Sequence, residues 1–249
     1  HKKGARDDPR NYRPITLLNC DYKILTRLLA MRMNEAVLQF VSPEQNGFVP
    51  HGFIAENTML LQLLKAYVED REEDAVFIFL DMEKAFDRCS WEYLVQSLDE
   101  LGFDDAFISY VKLFYSHDHA PTRRMSINGH LGRPFVLASG VAQGCCISPI
   151  LFLCVTEALT RLIQTDPTIA GIRVDGRDHK VLQYADDSTL LARVRDVKPM
   201  LSHVGDWCKA TAMAENASKR EGLLVGRLAS DRRHAPTGIL KDDAWAADG

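Results

Sequence analysis

The six consecutive apolar residues 75–80, AVFIFL, followed at once by Asp81, constrain this chain more than any other stretch. The run is too short for a buried helix, rich in β-branched and aromatic side chains, and free of polar alternation. It reads as a fully buried strand. A lone carboxylate is costly to bury, so Asp81 at its end must reach solvent or meet a cation or metal. Taken alone, it also reads as a strand-end acid facing water or capping a turn.

Residues 181–192, VLQYADDSTLLA, repeat the theme: apolar runs flank Asp186 and Asp187, as in a buried hairpin with two acids at its tip. Alone, this pair also reads as a solvated turn. Taken together, two acidic sites on neighbouring central strands would crowd three carboxylates, which repel unless divalent cations sit between them. Oxygen-only ligands in a partly hydrated site suit Mg²⁺. Two such ions are the equipment of in-line phosphoryl or nucleotidyl transfer, and a hairpin positions ligands better than a mobile loop.

The flanking segments define the fold class. Ile24, Leu25, Leu28, Leu29 and Leu38 recur at helical spacing, with Arg27, Arg32 and Glu35 off that face. A second helix is expected over 55–70, with Met59, Leu60, Leu63, Leu64 and Tyr67 on its apolar side. Ser90 and Gly102 bracket a third. Asn128-Gly129 marks a hairpin, and Pro149 opens a further helix. A last helix covers 196–213 and carries Trp207 and Cys208 as core residues, and EGLLVG (221–226) is a last strand. This order predicts an α+β domain with a mainly antiparallel sheet and helices packed on one face, the helical N-terminal part forming a possible subdomain.

Charge bears on partners through its distribution. The net charge of −4 argues at first against nucleic acid, but residues 1–50 carry +3, residues 51–118 carry −10 and residues 119–249 carry +3. A groove of mixed sign is compatible with this. The six cysteines form no C-x-x-C pair, which points to a reduced, intracellular protein. No apolar run approaches a membrane span, no signal peptide is visible, and His1 in first place suggests a piece of a longer protein. The run at His117 to His119 reads as an exposed loop.

The segments FLDMEKAFD, SGVAQGCCISPILF, YADD and ENASKREG, in that order, resemble palm motifs A to D of reverse transcriptases. Upstream, DPRNYRPITLLN and EQNGF resemble the fingers of non-LTR (LINE-like) retrotransposon enzymes. The resemblance covers about residues 2–226. It implies fingers over 1–74, a ferredoxin-like palm over 75–226, and a weakly structured tail over 227–249. The primer grip and thumb are not recognisable, and an endonuclease is expected elsewhere in the full-length polyprotein.

The resemblance implies an RNA-directed DNA polymerase that uses an RNA template, a DNA primer and dNTPs, with no membrane partner and a nuclear location. Asp81, Asp186 and Asp187 would be the catalytic acids and ligands of two Mg²⁺ ions, for which Mn²⁺ could substitute. Lys219 would be the motif D general acid, and Arg13, assisted by Lys3 or Arg6, would grip the triphosphate. Phe86 would exclude a 2′-hydroxyl. Gln143, Gly144 and Tyr184 would lie at the nucleotide, with Gly140 also allowing close backbone approach. Outside that context Phe86 reads as core, Lys3 and Arg6 equally as a solvated basic loop, residues 140–144 as a flexible loop, and Lys219 as a surface lysine. Ala142 and Cys146 depart from the family pattern, where a polar residue and a proline are frequent. RNA-dependent RNA polymerases usually carry glycine where Ala185 stands. A decayed copy and a non-catalytic nucleic-acid-binding scaffold are the alternatives. Without a thumb, this chain is expected to extend primers weakly.

Overall fold

The computed structural model describes residues 5–8, 12, 15–230 and 239–241. Helices α1 (Cys20–Phe40) and α2 (Ile54–Asp70) precede strand β1 (Asp74–Leu80). A single turn α3 (Ala85–Arg88) and helices α4 (Trp91–Glu100) and α5 (Asp105–Phe114) lead to the hairpin β2 (Thr122–Ile127) and β3 (His130–Val136). Helix α6 (Ser148–Thr165) is followed by the hairpin β4 (Ile172–Val174) and β5 (Arg177–His179), then β6 (Val181–Tyr184) and β7 (Asp187–Ala192). Helix α7 (Val197–Thr211), strand β8 (Glu221–Gly226), the turn α8 (Arg227–Ser230) and strand β9 (Ile239–Lys241) complete the described chain.

Local chemistry sets these boundaries. The Ser90 hydroxyl accepts from the Tyr93 N–H at the start of α4, and Asp104 caps α5 in the same way. At the end of α4 the Gly102 and Phe103 N–H groups donate back to Asp99 and Leu98, with Gly102 left-handed at φ +84°. Asn128 and Gly129 both have positive φ, as a two-residue hairpin turn between right-twisted strands requires.

Strands β6, β7, β1, β8 and β9 form one antiparallel sheet in that spatial order, with β1 at its centre. Val76, Ile78 and Leu80 of β1 join Val181, Leu190, Ala192 and Leu224 in a large core with residues of α1, α4, α6 and α7. The intervening Ala75 and Phe77 join Leu182, Leu191 and Val225 in a second core against Leu64 and Val68 of α2. The expectation of helices on one face is therefore corrected: α2, from the range assigned to the fingers, covers the other face. The reason is in β1 itself, which is apolar at both alternations and so needs cover on both sides.

The expected apolar stripe of α1 is also corrected. Thr26, Leu29, Ala30, Met33, Val37 and Phe40 are buried, whereas Ile24, Leu28 and Leu38 are more than half exposed. Two overlapping stripes share this helix. The slimmer one packs, and Thr26 is buried at little cost because its hydroxyl donates to the Tyr22 carbonyl. On α2, likewise, Leu64 and Val68 are buried while Met59 and Leu63 are exposed. Trp207 is buried as expected and donates its indole N–H to the Val155 carbonyl. Within the range expected to be a weakly structured tail, α8 forms a turn and β9 adds to the sheet edge beside β8. All six cysteines are free thiols, and among the described residues no helix is long and apolar enough to cross a membrane.

Candidate active site

The β1–β7 register brings the predicted acids to one end of the sheet. Leu80 pairs with Ser188, so the register carried one residue further sets Asp81 opposite Asp187, the first residue of β7. Opposed residues of an antiparallel pair share a face. Tyr184 pairs with Asp187, and Ala185 and Asp186 make the two-residue turn between them. Asp81 and Asp186 are half-buried, and Asp187 is exposed.

Lys219 reaches the same place from the far end of the chain. After α7 the backbone runs beside the segment that follows β1. Glu83 N–H donates to the Ala214 carbonyl at 2.7 Å, and Asn216 N–H to the Asp81 carbonyl at 2.8 Å. This seats the short turn Ala217–Lys219 so that the Lys219 ammonium is ion-paired with the Asp81 carboxylate. Both side chains are about one-third exposed.

The oxygen-only donor set fits Mg²⁺ in its chemistry. Among the described residues no group of three or more His, Cys, Asp or Glu side chains is assembled to hold a metal ion. The cation beside Asp81 is the ammonium of Lys219.

Phe86 lies on α3, stacked on Phe152 of α6 with ring centroids 4.7 Å apart and edge-on to Phe48 at 6.0 Å. Its ring is half-buried and held from two sides. The loop between β3 and α6 closes over this turn. Val141 N–H donates to the Phe86 carbonyl at 2.7 Å, and Gln143 Nε2 to Asp87 Oδ1 at 3.3 Å. Burial pushes the Asp87 carboxyl above its ordinary range, opposed by the Gln143 amide, Lys84 and Arg123. Gly140, at φ +88°, packs on the Asp87 backbone, where a Cβ would lie 2.6 Å from the carbonyl oxygen, so it serves the loop's own packing. Gly144 is left-handed and exposed, beside Thr16.

Beneath this loop the buried Tyr115 hydroxyl accepts from the Ala142 N–H at 3.2 Å and bonds the Ser148 hydroxyl at 2.9 Å. Ala142 is thus a buried loop anchor, and the exposed Cys146 packs into no core. The predicted Arg13 and Lys3 lie outside the described residues, whereas Arg6 is described and exposed. His117 is exposed as expected and pairs with Glu92.

Sequence reasoning missed three contributors. Arg123 on β2 donates to the Thr16 hydroxyl and sits close enough to Asp87 to lower its pKa. Tyr115 carries no local signal of its loop-supporting role. The loop at 44–48 lies against the acidic hairpin: Asn46 N–H donates to the Gln183 carbonyl at 2.9 Å, and Gln183 N–H to the Glu44 carbonyl at 2.8 Å. The sole available signal was the EQNGF motif itself.

Residues 1–237 match the family model described as reverse transcriptase (RNA-dependent DNA polymerase). The chain is 30% identical over 233 residues to the transposon TX1 uncharacterized 149 kDa protein of Xenopus laevis, covering 92% of this chain and 17% of that protein. It is 31% identical over 228 residues to the Pol polyprotein of the type-1 retrotransposable element R2 of Popillia japonica, covering 90% and 31%. The chain thus spans less than a third of either relative. Among solved structures, apo telomerase from Candida tropicalis superposes with a TM-score of 0.55 at 12% identity, covering 89% of this chain and 41% of that one. The same enzyme with a fragment of telomeric RNA gives 0.56 at 12% identity, covering 82% and 34%. The chain belongs to the reverse transcriptase family, alongside the enzymes of non-LTR retrotransposons.

Proposed function

We propose that this reverse transcriptase chain carries the polymerising centre of an RNA-directed DNA polymerase, adding deoxynucleotides to the 3′-hydroxyl of a DNA primer on an RNA template. The observation that carries the reading is the β1–β7 register, which sets Asp81 opposite Asp187 and beside the turn that holds Asp186, with Lys219 on Asp81. In this reading Asp81, Asp186 and Asp187 would hold two Mg²⁺ ions. Those ions supply acidification of the 3′-hydroxyl and neutralisation of the triphosphate.

The chain's own residues do the rest. The β1–β7 ladder holds the acids on rigid elements. Lys219, already on Asp81, is placed to deliver a proton or a positive charge to a departing pyrophosphate. Phe86, clamped between Phe152 and Phe48, presents a fixed ring that excludes a 2′-hydroxyl by bulk. Gln143 and Gly144 line the nucleotide approach, Tyr184 precedes the acidic turn, and Arg13 would grip the triphosphate. Residues 1–74 then act as fingers and 75–226 as palm. The longer length of the relatives leaves room for thumb and endonuclease regions in a full polyprotein.

The test is primer extension on an RNA template with Mg²⁺, comparing dNTPs with rNTPs, by a polypeptide that carries this chain with its flanking regions. Extension with dNTPs, lost in Asp186→Asn and in Asp81→Asn while the fold is retained, is the expected result. Undiminished extension by Asp186→Asn would refute the assignment.

A further inference from the structure

We infer that Gln45, in the loop that follows α1, is a positioning residue for the acidic hairpin, an inference that rests on reading Asp186 and Asp187 as the polymerising acids. Gln45 is 3% exposed. Its Oε1 accepts from the Ala185 N–H at 2.8 Å and from the Gly47 N–H at 2.7 Å, and its Nε2 donates to the Ala185 carbonyl at 3.3 Å. Two N–H groups converge on one side-chain atom, so that atom is the oxygen and the amide has a single orientation. A primary amide is the side chain that answers both the N–H and the C=O of one residue. A carboxylate lacks the donor, and an alkyl chain lacks both groups.

The residue so gripped needs holding. Ala185 has φ +59°, a left-handed conformation that a side chain with a Cβ adopts only at a cost. It is 6% exposed, so its backbone groups have little recourse to water if the amide is removed. It also immediately precedes Asp186, so the dihedrals of Ala185 aim that carboxylate.

The grip is anchored on both sides. Gln183, 1% exposed, accepts from the Asn46 N–H and from Asn57 Nδ2, and donates its own N–H to Glu44. Its side chain bonds the Thr160 hydroxyl of α6 and the Ser188 hydroxyl of β7. Gln45 and Gln183 form a parallel bridge. The loop, the helix and the hairpin are thereby one hydrogen-bonded unit, and Gln45 is the member whose side chain hydrogen-bonds the turn.

The test uses the polypeptide with flanking regions and compares Gln45→Met, Gln45→Glu, Gln45→Met with Ala185→Gly, and Asp186→Asn. It reads kcat and KM in primer extension, and amide hydrogen exchange at Ala185 in metal-free protein. Gln45→Met is expected to lower kcat about tenfold or more, since ångström-scale misplacement of a reacting group is that costly, with KM for primer–template little changed. Ala185 exchange should speed up in parallel. Adding Ala185→Gly should restore most of kcat, because glycine takes the left-handed conformation freely.

Wild-type kcat and unchanged Ala185 exchange in a folded Gln45→Met would overturn the inference, as would failure of the glycine rescue in a folded double variant. If Gln45→Met does not fold, Gln45→Glu decides. It keeps the acceptor and loses the donor, so a partial loss of kcat with the Ala185 N–H still protected is expected, and wild-type kcat overturns the inference. If Asp186→Asn remains active, the reading of the acids fails, and the exchange data still decide whether Gln45 holds the turn.

Discussion

Gly47→Ala probes the contact between the loop that follows α1 and the acidic hairpin most directly. Gly47 does not occupy the left-handed region that favours glycine, so the constraint is one of space. A Cβ built on it would lie 2.8 Å from the Tyr184 carbonyl carbon and 2.9 Å from the Ala185 Cα, and closer still to the Ala185 nitrogen. Ordinary contact begins at 3.4 Å, and every offending atom is backbone, so no side chain can swing aside. Loop and hairpin must separate by about 1 Å, because a close-packed interior offers no slack. That separation stretches two backbone hydrogen bonds between residues 44–46 and Gln183, and the pair from Gln45 to Ala185. At roughly 0.5–1.5 kcal/mol for each of these four bonds, the expected loss of stability is about 2–6 kcal/mol.

The consequence for catalysis is separate. A shift of this size at the acids is expected to lower kcat by about 100-fold. Urea denaturation measures the first quantity without reference to activity, and single-turnover primer extension measures the second. A Gly47→Ala protein with wild-type urea midpoint and wild-type extension rate would refute the reasoning. It would mean that the loop and the YADD turn do not touch as described. A stability loss with an intact rate would leave the contact standing and remove its catalytic meaning.

Two further outcomes are expected. Phe86→Ala removes a half-buried ring from Phe152 and Phe48, which should cost about 2 kcal/mol, roughly half the loss for a fully buried phenylalanine; it should also raise the use of rNTPs relative to dNTPs, and unchanged nucleotide selectivity would sink the assignment of that ring. Asp166 is held down to about 2 by the Thr168 hydroxyl, then by His203 and the Thr168 N–H. Its folded value lies below its ordinary one, so its contribution to stability is present above about pH 4 and fades as the pH falls towards 2. The urea midpoint of the wild type should therefore drop more steeply over that interval than that of Asp166→Asn, and parallel curves would contradict the linkage.

The sequence by itself determined everything that depends on near neighbours. β1 is a buried strand because its residues are apolar without interruption, and α4 ends where it does because Ser90 and Gly102, just outside it, satisfy its ends. Asn128-Gly129 turns a hairpin because both positions accept positive φ. Asp81, Asp186 and Asp187 stood out as candidates because a charge at the end of an apolar strand is conspicuous.

Tertiary structure alone decided which stripe of α1 is buried, since two candidate stripes overlap and the packing partner α6 lies more than a hundred residues away. It put α2 on the second face of the sheet, where periodicity says only that some face is apolar. It set Lys219 on Asp81, 138 residues apart, and Gln45 on Ala185, 140 residues apart. Such pairings leave no trace in local pattern, because a glutamine or lysine that will meet a distant backbone or carboxylate has the same neighbours in sequence as one that faces water. Strand register and close packing bring these groups together, and both arise only when the whole chain condenses.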